Sequence, residues 1–127
     1  MNIKKILEEH RIWVESEGRE GNRADFSAKD LSGTDFSGEF LENARFTGAI
    51  LSNCKFVNAK LAEVKMNCTC LDKADFTGAD CIYADFSDSQ MTNAKIVNTQ
   101  MRFARLDYVD FSDSVLNNVR FDCADIK

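Results

Sequence analysis

Residues 74–88 read ADFTGADCIYADFSD, in which Ala-Asp recurs three times at intervals of five. A strand repeats its side-chain direction every two residues and an α-helix every 3.6, so a spacing of five belongs to neither. Stepping by fives from Phe76 toward the N-terminus reaches Leu71, Met66, Leu61, Phe56, Leu51, Phe46, Leu41, Phe36, Leu31 and Phe26. Stepping the other way reaches Cys81, Phe86, Met91, Ile96, Met101, Leu106, Phe111, Leu116, Phe121 and Ile126. None of these 21 centres is polar and no insertion separates them, so every turn of the structure must have the same length.

Two residues before most centres stands a small side chain: Ala24, Ala44, Ala49, Cys54, Ala59, Ala74, Ala79, Ala84, Ser89, Ala94, Ala104 and Ala124. Positions two apart on extended backbone share a face, so a large and a small residue both point inward and the other three point out. The second place after the centre holds Gly33, Gly38, Gly48 and Gly78, and also Asn43, Asn53, Asn58, Asn93, Asn98 and Asn118. Gly and Asn tolerate the positive φ that a type II turn requires at its third position. Each repeat is therefore a short extended piece followed by a tight corner, and repetition of one corner winds the chain into a coil whose turns hydrogen-bond to one another. The chain contains no proline, which would remove donors from that ladder. The spacing predicts an all-β solenoid over residues 24–127 without fixing its number of sides.

The motifs ADFSA (24–28), TDFSG (34–38), ARFTG (44–48) and ADFTG (74–78) resemble those of the pentapeptide repeat family. The resemblance covers residues 24–127 and implies a right-handed quadrilateral β-helix with four repeats per coil. It would give about five coils and, at ~4.8 Å per coil, a shaft roughly 25 Å tall.

Residues 1–23 read differently. Ile3, Ile6, Leu7, His10, Trp13 and Val14 recur at helical spacing with charged residues between them, which predicts an amphipathic helix followed by a short linker, SEGREGN. A solenoid end exposes apolar interior and unpaired backbone, so this helix is expected to cap the first coil through Ile3, Ile6, Leu7 and Trp13, with Trp13 and Ile6 over Phe26, Leu31 and Phe36. The segment also resembles the N-terminal part of many bacterial pentapeptide repeat proteins. Lys29 and Glu39 break the small-residue rule and should turn outward or meet polar groups of the cap. No such segment follows the last repeat, so Phe111, Leu116, Phe121 and Ile126 are expected to form an open end that pairs with a second copy, end to end.

Composition narrows the function classes. The net charge of −5 argues against nucleic acid, and the interspersed signs argue against a disordered charged arm. No apolar stretch approaches a membrane span or a signal-peptide core, which makes the cytoplasm the expected location. Five cysteines lack paired CxxC spacing, so reduced thiols are expected and no metal or cofactor. One histidine, His10, sits among the helix's apolar positions, where packing explains it better than catalysis. Most aspartates, such as Asp25, Asp35, Asp75, Asp85 and Asp110, recur because the repeat recurs, and they need no catalytic explanation. The chain reads as a non-enzyme.

Taking every twentieth residue before a centre gives one outward column of Asp25, Arg45, Lys65, Asp85, Arg105 and Asp125, and another of Asp35, Lys55, Asp75, Lys95 and Val115. Neighbouring coils often carry opposite signs, which suggests weak solvated pairing. The family resemblance raises one alternative, since some members imitate duplex DNA and bind type II topoisomerases such as gyrase. A mimic needs a continuous negative surface, and these columns interrupt it. One cluster departs from repeat chemistry: Tyr83 and Phe103 share a corner column, Ile82 adjoins Tyr83, Tyr108 lies one corner further round, and Phe40 is outward on the same face two coils above. Gathered aromatic residues of this kind mark a candidate protein-contact surface. The expectation is a rigid scaffold for protein binding or assembly, its partner unnamed by the sequence.

Overall fold

The computed structural model describes residues 1–127. From Asp25 onward the residue before each centre bridges, in parallel, to the residue twenty positions later: Asp25 to Arg45, Arg45 to Lys65, Lys65 to Asp85, and so on to Asp125. Twenty residues are four repeats, so the coil is four-sided. Each centre donates its N–H to the next coil, as Phe26 does to Arg45 O at 2.7 Å, and the residue before it donates to the previous one, as Arg45 does to Ala24 O at 3.0 Å. The corner residue adds a third inter-coil bond, Ala28 N–H to Thr47 O at 3.0 Å. Within the corner, Lys29 N–H closes back on Phe26 O at 3.2 Å, the hydrogen bond of a β-turn. The extended pieces are so short that only Lys95–Val97 (β1) and Val115–Asn117 (β2) form regular strands, paired in parallel with Ile96 opposite Leu116.

The interior follows the five-residue register. Centres from Phe26 to Leu106 are buried, and the small residues Ala24, Ala44, Ala49, Cys54, Ala59, Ala74, Ala79, Ala84, Ser89, Ala94 and Ala104 are buried with them. Phenylalanines stack from coil to coil on two sides of the shaft. Phe26 lies on Phe46 with ring centres 5.1 Å apart, and Phe36, Phe56 and Phe76 form a near-parallel column at 5.2 and 5.0 Å. Across the interior the two sides meet edge to face, Phe36 on Phe46 at 84° and Phe76 on Phe86 at 88°. Both geometries suit the quadrupole of an aromatic ring.

Helix α1 (Ile3–Glu15) begins at Asn2, whose side chain accepts the Lys5 N–H at 3.1 Å. Ile3, Ile6 and Leu7 pack against the core. Trp13 does not join them: it stacks on His10 at 5.4 Å, with the Arg23 guanidinium 5.8 Å from its ring centre. The expectation that Trp13 lies over the Phe26 layer is thereby corrected, because Trp13 sits near the end of α1, where the returning chain covers it. That returning segment is fixed in place. Gly18 N–H bonds Trp13 O at 2.8 Å and Asn22 N–H bonds Glu9 O at 3.2 Å. Gly21 passes so close to the helix that a Cβ there would lie 2.7 Å from Trp13 N. Lys29 is exposed and Glu39 half-buried, turned away from the interior as their charge requires.

Candidate functional site

The corner geometry dictates what the outer surface can display. The second residue after each centre takes positive φ whatever its identity, including Tyr83 (62°), Phe103 (61°) and Tyr108 (60°). Such a residue stands on an edge of the shaft rather than in the plane of a face. Tyr83 and Phe103 occupy successive levels of one edge and stack with ring centres 4.8 Å apart and planes 9° from parallel. They remain 54% and 43% exposed. Ile82 is half-buried beside Tyr83, and Arg102, next to Phe103, carries a buried Nε–H that has no acceptor. The patch thus presents two stacked, near-parallel rings, with one unsatisfied donor buried next to them.

The other residues of the expected cluster lie apart. Tyr108, at 71% exposure, stands on the next edge with no aromatic neighbour. Phe40 is half-buried, and the Arg11 guanidinium of α1 covers its ring at 4.7 Å. Its register is outward, but the helix folds over it. Sequence spacing within the repeats could not reveal a partner supplied from outside them.

The recurring aspartates have a local role. Asp25, Asp35, Asp75, Asp85 and Asp110 each accept the N–H of the residue two positions on, at 2.9–3.0 Å, and Asp30 and Asp80 do so at 3.1 and 3.2 Å. This Asx-type bond pre-forms the corner. In Asp25, Asp30, Asp35 and Asp110 the hydroxyl and N–H of the following serine hold the carboxyl below its ordinary pKa. The expected charge pairing between coils does not close into ion pairs. The ion pairs that form are Arg11–Glu15, Arg105–Asp107 and Arg120–Asp122, none along the bridged columns, because the carboxylates are already turned toward backbone N–H groups.

His10 is fully buried and joins α1 to both ends of the first coil. Ala24 N–H donates to Nδ1 at 2.9 Å, so the ring proton resides on Nε2, which donates to Glu42 O at 2.9 Å. Burial is the main cause holding its pKa below 6.5 and the ring neutral. The sequence indicated packing at this position but contained no sign of a backbone bridge 32 residues long. All five cysteines are free thiols. Burial pushes Cys54 up to about 11 and raises Cys81 further, as befits core substitutes with no thiolate chemistry. No three His, Cys, Asp or Glu side chains converge as metal ligands.

In the last coil Phe111 and Phe121 are half-buried, and Leu116 and Ile126 are exposed. The N–H groups of Phe111, Asp113, Phe121 and Cys123, which earlier coils would donate onward, find no backbone acceptor. No helix is long and apolar enough to cross a membrane.

Comparison with solved structures agrees with this architecture. A pentapeptide repeat protein, Rfr23, from the cyanobacterium Cyanothece superposes with a TM-score of 0.68 at 25% identity, over 77% of this chain and 64% of that one. One from the Arabidopsis thaliana thylakoid lumen gives 0.63 at 30% identity, over 74% and 62%. HetL, a pentapeptide repeat protein involved in heterocyst differentiation regulation in the cyanobacterium Nostoc, gives 0.74 at 23%, over 78% and 47%. The chain therefore spans between about half and two thirds of these proteins' lengths. No curated protein matches the sequence. The family model for pentapeptide repeats matches residues 24–61, 41–78 and 69–106. With four repeats per parallel coil, the fold is the right-handed quadrilateral β-helix, and the chain belongs to the pentapeptide repeat family.

Proposed function

We propose that this chain is a non-enzymatic scaffold of the cytoplasm that binds a protein partner through the Tyr83–Phe103 edge. The observation that carries the reading is the stacked pair itself. Two large aromatic rings stay exposed at corners where a bulky residue is conformationally costly. Ile82 extends the apolar area. Tyr108 belongs to a separate edge, and Phe40 to the helix contact. In the same reading α1 caps the first of about five coils, through Ile3, Ile6, Leu7 and the His10 bridge, with Trp13 covering His10.

The test is affinity capture from a bacterial lysate with wild-type protein beside the Tyr83→Ser/Phe103→Ser double variant, with bound proteins identified by mass spectrometry. A partner retained by the wild type and lost by the variant is the expected result. Equal capture by both removes the patch from the reading. Gyrase subunits captured by both would favour DNA mimicry instead, against the mixed signs of Asp25, Arg45, Lys65, Asp85, Arg105 and Asp125 down a single bridged column.

A second contact in the proposal is between two copies of the 127-residue chain. The last coil offers Leu116 and Ile126 together with unpaired donors, and a two-fold axis would cover both edges at once. Sedimentation should report a dimer that Leu116→Lys/Ile126→Lys converts to a monomer. A monomer at high concentration overturns this contact without touching the first.

A further inference from the structure

A shallow cavity of about 400 Å³ lies near the N-terminal end of the shaft, lined by Arg23, Ser27, Arg45, Thr47, Lys65 and Asn67 and by no apolar side chain. Three cations meet there, on a protein whose net charge is −5. Arg45 and Lys65 are bridged neighbours on successive coils, about 4.8 Å apart along the shaft. Arg23 reaches the same cavity from the segment that follows α1, where its Nε–H donates to Asn43 O at 2.6 Å and orients the guanidinium. None of the three forms an ion pair. The column's flanking carboxylates, Asp25 bridged to Arg45 and Asp85 bridged to Lys65, are not part of the lining and accept the N–H groups of Ser27 and Ser87 at 3.0 and 2.9 Å.

The polar lining is also oriented. Thr47 donates its hydroxyl to Asn67 Oδ1 at 2.8 Å, which fixes the amide and leaves its NH₂ with only a 4.0 Å contact to Cys68 Sγ. Cations, an amide donor and no lining carboxylate make a site suited to an anion. Two guanidinium forks and an ammonium at different heights suit a group that accepts at several oxygens, as a tetrahedral phosphate does. A carboxylate, with two oxygens in one plane, would leave one level unmatched.

We propose that this cavity binds the phosphate group of a phosphorylated small molecule, with Arg45 and Lys65 as its principal ligands and Arg23 and Asn67 closing over it. Crowding supports the geometry: burial and then the Arg45 charge lower the pKa of Arg23, the Asp25 charge acting the other way, and a bound dianion would relieve the remaining repulsion. The site shares no lining residue with the Tyr83–Phe103 edge and does not depend on the role proposed for that edge.

The experiment is an NMR titration of the full chain at constant ionic strength with inorganic phosphate, then glycerol phosphate, with chloride as the ionic control. The amides of Ser27, Thr47 and Asn67 and the Nε–H groups of Arg23 and Arg45 should shift together and saturate. Arg45→Gln/Lys65→Gln should weaken binding at least tenfold, and Lys55→Gln, on a different column, should leave it unchanged. Both altered side chains in the double variant are exposed, so its amide spectrum should otherwise match the wild type. A parallel arm with phosphatidic acid vesicles distinguishes the source of the phosphate: co-sedimentation without saturable small-molecule binding overturns the proposal in favour of a membrane surface. Shifts spread over all basic residues, or a double variant that binds as tightly as wild type, overturn it outright.

Discussion

From Ala28 to Cys123 every fifth residue sits at a φ between 54° and 77°. Only four of these twenty corners are glycine, so the fold imposes the left-handed conformation on Lys73, Glu63 and Tyr83 as firmly as on Asn53. No Val, Ile or Thr occupies a corner, as expected where a second substituent on Cβ would collide with the backbone. Lys73→Gly should therefore raise stability by about 0.5–1 kcal/mol, relief of the left-handed penalty outweighing the entropy glycine adds to the unfolded chain. Asn53→Ile should lower it by about 1–2 kcal/mol. Urea denaturation of both variants checks the pair, and equal midpoints would show that the corners carry no strain. Glycine and asparagine made this register legible. The aspartates were legible as outward but not as turn-formers, because which atom a surface carboxylate prefers depends on backbone N–H groups that spacing alone does not orient.

At the scale of the element, α1 depends on one imidazole. His10 satisfies Ala24 N–H and Glu42 O only while neutral, since a proton on Nδ1 would set two donors against each other. Its pKa is lower in the folded protein than the ordinary 6.5, so below that value the unfolded chain takes up a proton that the folded one resists. The stability it contributes is complete above about pH 6.5 and is lost as pH falls through the lower, folded value. Trp13 reports this directly, because its ring stacks on His10. Its fluorescence under fixed denaturant should show the helix loosening toward pH 5. His10→Phe should cost about 1–3 kcal/mol for the unpaired backbone groups and lose that pH dependence. A variant that kept the same pH profile would assign the titration elsewhere. The helix itself was readable from its apolar spacing. The places of Trp13 and Phe40 were not, since both are decided by contacts between α1, its returning segment and the first coils. The phosphate cavity escaped the column analysis for a similar reason: Arg45 and Lys65 acquire Arg23 only when that segment folds back.

Over the whole molecule, stability is a sum along one axis, with each coil contacting only its neighbours. Phe56 stands in the middle of the Phe36–Phe56–Phe76 column, so Phe56→Ala should cost about 3–5 kcal/mol and open the shaft at its weakest level. Hydrogen exchange should then show two halves of unequal protection where the wild type shows one gradient; a uniform loss would mean that the coils unfold as a single unit. The interior was the most legible feature of the sequence, because any polar residue at a centre would be buried on all sides. The unbroken register also makes the shaft at once a ruler and a protractor. Twenty residues added between coils would carry everything downstream one level along the axis and keep its heading. Five would turn it by a quarter revolution and swing the Tyr83–Phe103 edge to another side of the phosphate cavity. One would turn the interior outward from that point on. Within the repeat path, the distance and bearing between the two surfaces can therefore change only in whole steps of five residues.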